Sequence, residues 1–117
     1  MSVPILQLGS VLLTTVQGDL DDTVAESLQQ GLLTRIEKTG ATGLLIDISE
    51  LEVVDTYVAR VLADTGKMAS LMGTRTVLVG MRPEIAATLV RMGFGVEGVE
   101  TALDADEGMA LLKKGSG

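Results

Sequence analysis

Residues 44–62 read LLIDISELEVVDTYVARVL, and this stretch decides the fold class. Leu44, Leu45, Ile46, Asp47 and Ile48 form a short, nearly continuous apolar run. Such a run suits a central strand covered on both faces. A polar loop from Ser49 to Val54 is expected next, and then a helix capped by Asp55 or Thr56. Val58, Val61, Leu62, Thr65, Ala69 and Met72 fall on one side of that helix, and Gly73 ends it. A buried strand feeding a helix is the repeating unit of an α/β sheet.

The flanking sequence extends the same architecture. Upstream, Val3–Leu8 and Val11–Val16 are β-rich runs separated by Gly9-Ser10, which fits a type II′ hairpin. Pro4 cannot donate to a ladder, so the first strand belongs at an edge. Asp19, Asp21 and Asp22 then lead into a helix. Thr23 and Glu26 have capping-box spacing, and Val24, Leu28, Leu32 and Ile36 form the apolar stripe before a stop at Gly40. Downstream come a strand at Thr76–Val79, a turn over Gly80–Arg82, and a short helix opened by Pro83. That helix carries Ile85, Leu89 and Met92 and stops at Gly93. A short strand at Val99–Ala102 precedes a last helix, begun by Asp104 and Glu107 and ended by Lys113 and Lys114. The order β-β-α-β-α-β-α-β-α predicts an α/β fold: a mixed sheet opened by an N-terminal hairpin, with helices packed on it. Residues 1–114 form one domain, and 115–117 a loose tail.

Composition narrows the function. The chain has 117 residues, 46% of them hydrophobic, so a packed core is expected and disorder is not. Nine Lys and Arg against sixteen Asp and Glu give a net charge of −7, the wrong sign for gripping a phosphate backbone. Tyr57 and Phe94 are the only aromatic residues, too few for stacking bases, so no nucleic-acid partner is expected. The chain contains neither Cys nor His. That removes the thiolate nucleophile, the commonest general base and the usual ligands of zinc and iron–sulfur centres. No cofactor is expected, and an enzyme is the least favoured class. Residues 1–18 carry no charged side chain but lack a basic signal-peptide start, and polar residues break their apolar run. No stretch has the apolar length of a membrane helix, so a cytoplasmic location without membrane attachment is expected.

Three constellations are set aside. Gly93-Phe94-Gly95-Val96-Glu97-Gly98 spells G-x-G-x-x-G, but it follows a helix and precedes a strand, the reverse of a dinucleotide site. Asp19, Asp21 and Asp22 lack calcium-loop spacing and read as helix-start acids. Asp47 and Asp55 resemble a receiver aspartate only loosely, because Arg82-Pro83 stands at the turn where a Lys is required.

Asp55-Thr56-Tyr57 is more informative. A hydroxyl at the first turn of a helix is exposed and faces free N–H groups that favour a negative group. A phosphate there would add about −1.5 to −2 charges beside Glu50, Glu52 and Asp55. A docked partner would then meet repulsion. The same residues also serve as a plain helix cap, which is the commoner use of Asp and Thr.

In this segment, Ile46-Asp47-Ile48-Ser49, Leu51 and then Asp55-Thr56 resemble the mark of the STAS domains of bacterial anti-sigma factor antagonists. Within that family the chain most resembles the RsbS-like, single-domain stressosome scaffolds. Val3-Pro4-Ile5-Leu6-Gln7-Leu8, Leu20-Asp21-Asp22, Leu71-Met72-Gly73 and Val99-Glu100-Thr101-Ala102-Leu103-Asp104 carry this likeness across nearly the whole chain. Val58, where sporulation-type antagonists usually have Gly, points to the same branch.

The resemblance implies a non-enzymatic scaffold that forms a dimer or a large oligomer. Its implied partners are an RsbR-like STAS protein, an RsbT-like switch kinase that brings its own nucleotide and Mg²⁺, and an RsbX-like phosphatase. The family's phosphorylated Ser falls on Thr56, which keeps the hydroxyl. Asp47, Ser49, Glu52, Asp55 and Tyr57 are the implied recognition surface around it. A Thr at this position is also similar to RsbR-like STAS domains, whose N-terminal sensor domain a chain of this length is not expected to hold. The rival expectations are a stand-alone anti-sigma factor antagonist and a STAS accessory subunit of a membrane transporter.

Overall fold

The structure is a computed structural model that describes residues 3–91 and 99–114. Strand β1 (Ile5–Leu8) turns back antiparallel into β2 (Val11–Asp19). Gly9 has φ 61, and Ser10 is not left-handed, as the type II′ turn requires. Helix α1 (Asp22–Thr39) leads to β3 (Gly43–Val53), and α2 (Thr56–Leu71) leads to β4 (Arg75–Val79). Helix α3 (Pro83–Arg91), β5 (Val99–Ala102) and α4 (Ala105–Lys114) complete the order.

The sheet runs β1-β2-β3-β4-β5, with β2 to β5 parallel. Each parallel connection steps in the same direction across the sheet. Right-handed crossovers therefore put α1, α2 and α3 on one face. The alternation of β3 shows this directly. Leu44, Ile46 and Ile48 enter the larger core with Leu28, Leu32, Ile36, Val58 and Ile85, whereas Leu45 faces the smaller core with Val77, Val79 and Leu112. Among the described residues, α4 alone covers that second face. Its Gly108 lies so close that a Cβ would stand 2.7 Å from Val79 Cγ1.

The expected α/β architecture is the observed one, but Asp19, expected among the acids that start α1, instead ends β2 and pairs with Val53. Three further local differences concern β3, α1 and α2. First, the segment from Ser49 to Val53 is strand, not loop. Gln17, Gly18 and Asp19 of β2 pair with Glu50, Leu51 and Val53 across two register shifts, which keep the strand going despite its polar residues. Second, α1 is capped by Asp21, whose Oδ1 accepts the Val24 N–H at 2.8 Å; Thr23 and Glu26 lie inside the helix and form no capping box. Third, Met72 is 43% exposed rather than packed beneath α2. Met92, the Gly93 stop, the G-x-G-x-x-G run and the tail at 115–117 lie outside the described residues.

Candidate functional site

The site is built where β3 ends and α2 begins. Asp55 has extended backbone (φ −92, ψ 174), and its Oδ1 accepts the Val58 N–H at 2.8 Å. This is the N-cap that the sequence led us to expect, and it satisfies a backbone donor the helix leaves open. Val54 before the cap and Ala59 in the first turn are both buried in the larger core, the positions that fix the entry angle of a helix. Thr56 is the first residue of α2, and Asp55, Thr56 and Tyr57 are all exposed. The cap therefore presents the Thr56 hydroxyl to solvent at the positive end of the helix.

The β3 residues below this turn are held by the segment after β4. Asp47 Oδ1 accepts the Ser49 N–H at 2.9 Å, just where the register with β2 first shifts. Gly80 has φ 76, and a Cβ there would stand 2.6 Å from Ser49 Cβ. Arg82 Nη2 donates to the Leu51 carbonyl at 2.8 Å. Asp47 and Ser49 are half-buried, so they shape the strand beneath the site, whereas Glu52 is exposed three residues before the cap. Glu52, Asp55, Thr56 and Tyr57 are thus exposed where β3 gives way to α2, whereas Asp47 and Ser49 lie half-buried further back along β3.

Residues of α1 complete the site, and sequence reasoning did not assign them to it. The Tyr57 hydroxyl donates to Glu26 Oε1, linking the first turn of α2 to α1. Further along, Gln29 Nε2 donates to Thr65 Oγ1 at 3.0 Å and to the Val61 carbonyl at 3.3 Å. The signal for this pairing was topological: successive right-handed crossovers set α1 and α2 side by side with both N-termini at the same end. The result is an acidic surface. The Glu26 hydrogen bond, some loss of hydration and the negative charges of Glu26 and Asp22 hold the Tyr57 phenol above its usual pKa. Loss of hydration and then the charges of Asp55, Asp21 and Glu26 raise the Asp22 carboxyl. These shifts place Asp22, Glu26, Asp55 and Tyr57 within one electrostatic neighbourhood.

This arrangement can accept a group at an exposed hydroxyl and repel or attract a docked surface by charge. Among the described residues, no cluster of three or more His, Cys, Asp or Glu could hold a metal ion. Among those residues, too, no helix is long and apolar enough to cross a membrane.

Comparison with known proteins bears on the family and the fold. The family described as STAS domain matches residues 2–106. The RsbT co-antagonist protein RsbRC of Bacillus subtilis (strain 168) is 37% identical over 100 residues, which is 85% of this chain and 36% of the relative. The chain therefore spans little more than a third of that protein's length. A structure of RsbS from Moorella thermoacetica, in a form with one serine replaced by glutamate, superposes with a TM-score of 0.85 at 38% identity. That match covers 96% of this chain and 95% of the other. A chain from a structure described as the molecular architecture of the stressosome, a signal integration and transduction hub, superposes with a TM-score of 0.79 at 36% identity. It covers 95% of this chain and 96% of that one.

Proposed function

We propose that this chain, which belongs to the STAS-domain family, is a stressosome scaffold whose hold on a switch kinase is released when Thr56 is phosphorylated. The observation that carries the reading is the exposed Thr56 hydroxyl on the Asp55-capped turn, set in an acidic surface of an RsbS-like fold. In this role the chain is the substrate of a serine/threonine kinase. Thr56 Oγ1 forms the new bond to the γ-phosphorus of ATP, the bond to ADP breaks, and the hydroxyl proton passes to a base on the kinase.

The fold tolerates the product, because the phosphate sits at a helix N-terminus whose N–H groups favour an anion. A partner docked over Glu52, Asp55 and Tyr57 does not, because about −1.5 to −2 charges arrive inside its contact surface. An RsbT-like kinase fits this role, since the similar RsbRC is described as an RsbT co-antagonist. An RsbR-like STAS protein is the co-scaffold, and an RsbX-like phosphatase restores the hydroxyl. The working location is the cytoplasm.

The reading is tested by the affinity of a purified RsbT-like kinase for wild type, Thr56→Ala and Thr56→Glu, each with its fold checked by circular dichroism. Tight binding of wild type and Thr56→Ala, with at least a tenfold loss for Thr56→Glu, is expected. Equal binding of all three removes the switch from Thr56.

A further inference from the structure

Thr56 opens α2, and the outward face of that helix continues through Arg60, Asp64 and Lys67, all exposed. Val58, Ala59 and Val61 turn the other way, into the larger core. Arg60 therefore stands one turn along the same face as Thr56. Helical side chains at this spacing are neighbours, with Cβ atoms about 5–6 Å apart. They also lean toward the helix N-terminus, so an arginine at position 60 reaches back over the turn that bears Thr56. The order is the favourable one, a group that becomes negative placed N-terminal to a cation.

Charge singles Arg60 out. Acids stand around Thr56: Glu52 of β3, Asp55 at the cap, Asp22 and Glu26 of α1, and Asp64 one turn beyond Arg60. A phosphate brings about −1.5 to −2 further charges into that field. Lys67, the other cation of α2, is eleven residues from Thr56, about 16 Å along the axis. Arg82 is held in the sheet by its bond to the Leu51 carbonyl. A guanidinium, moreover, matches two phosphate oxygens with two parallel N–H donors, which an ammonium does not.

We propose that Arg60 is the internal receptor of the Thr56 phosphate: once the group is in place, the guanidinium reaches back one turn and grips it against the start of α2. The inference rests on the reading of Thr56 as the phospho-acceptor and makes Arg60 a positioning residue of that switch. The modified surface then presents a phosphate fixed as a dianion beside Asp55, where the docked kinase is repelled, instead of one swinging freely in solvent.

The test installs phosphothreonine at position 56 by ligation of a synthetic segment, so its result does not depend on any kinase. Phosphorus NMR then follows the second ionisation of the phosphate, ordinarily near pH 6. The otherwise wild-type chain is compared with Arg60→Gln, Arg60→Lys and Lys67→Gln, each with its fold checked by circular dichroism. Arg60 favours the dianion, so Arg60→Gln should lower the ionisation constant at least threefold, with Arg60→Lys between the two. Lys67→Gln removes the same charge from further along the helix and should leave the constant unchanged. The Arg60 Nε–H resonance should also move between the unmodified and phosphorylated chains, a reading that needs no variant. Equal constants with and without Arg60, an equal fall in Lys67→Gln, or an Arg60 resonance that does not respond overturns the proposal. A kinase that leaves Thr56 unmodified would remove the proposed function without altering this titration.

Discussion

At the scale of single residues, Asp55 and Tyr57 determine how Thr56 is offered. Asp55 closes the helix start through one carboxylate bond to the Val58 N–H. Asp55→Ala should therefore cost about 1 kcal/mol, as other N-cap losses do. Asp21→Ala, which removes the equivalent bond to the Val24 N–H, should cost a similar amount. Urea denaturation measures both, and a midpoint equal to wild type would show that the caps contribute nothing. Tyr57 is the chain's only tyrosine, so ultraviolet absorbance follows its ionisation without interference. Its pKa is raised, first by the Glu26 hydrogen bond, so the folded protein holds this proton more tightly than the unfolded chain. The resulting stability is present at neutral pH and is lost as pH climbs above the ordinary tyrosine value of about 10. Tyr57→Phe should flatten that alkaline decline. Asp22 has the same sign in the acid range. Asp22→Asn should raise the melting temperature at neutral pH, and the gain should vanish below pH 3.8, where the carboxyl is protonated in both states. A neutral-pH melting temperature no higher than wild type would contradict the crowding of acids at this site.

At the scale of elements, the site depends on β3 being held from its neighbours. Gly80 combines a left-handed backbone with close approach to Ser49, and Gly108 lets α4 rest on Val79. Gly80→Ala adds strain at φ 76 and a clash with a strand; Gly108→Ala overpacks the smaller core. Each should cost about 1–3 kcal/mol in chemical denaturation. Gly80→Ala should also weaken kinase binding, because it displaces the strand beneath the site, whereas Gly108→Ala should leave it intact. The same elements show what the sequence could and could not reveal. The hairpin turn, the Asp55 cap and the apolar stripe of α1 were legible because local chemistry decides them. The extension of β3 through Val53 was not, since it depends on pairing with Gln17, Gly18 and Asp19 from a distant strand. The shift of the α1 cap from Thr23 to Asp21 reflects two adjacent acids that local pattern ranks alike. The Tyr57–Glu26 contact joins two helices separated by a whole crossover, so no local spacing announces it.

At the scale of the molecule, the two faces of the sheet differ in what they expose. One face carries α1 and α2 and offers an acidic turn bearing a hydroxyl; the other leaves Leu6 and Leu8 of β1 exposed beside α4. On the proposed function, a switch that also formed the assembly contact would dissolve the particle each time it was used. Co-assembly with an RsbR-like protein should therefore give the same particle mass, by light scattering, for wild type and Thr56→Glu. A smaller particle for Thr56→Glu would place assembly and switching on one surface. The most direct test of the central claim is intact-mass and site-mapping mass spectrometry after incubation with an RsbT-like kinase and Mg-ATP, with Thr56→Ala alongside. One phosphoryl group on wild-type Thr56, and none on the variant, is the expected result. An unmodified wild type, or modification elsewhere with Thr56 untouched, would contradict it and leave Thr56 a plain residue of a capped helix.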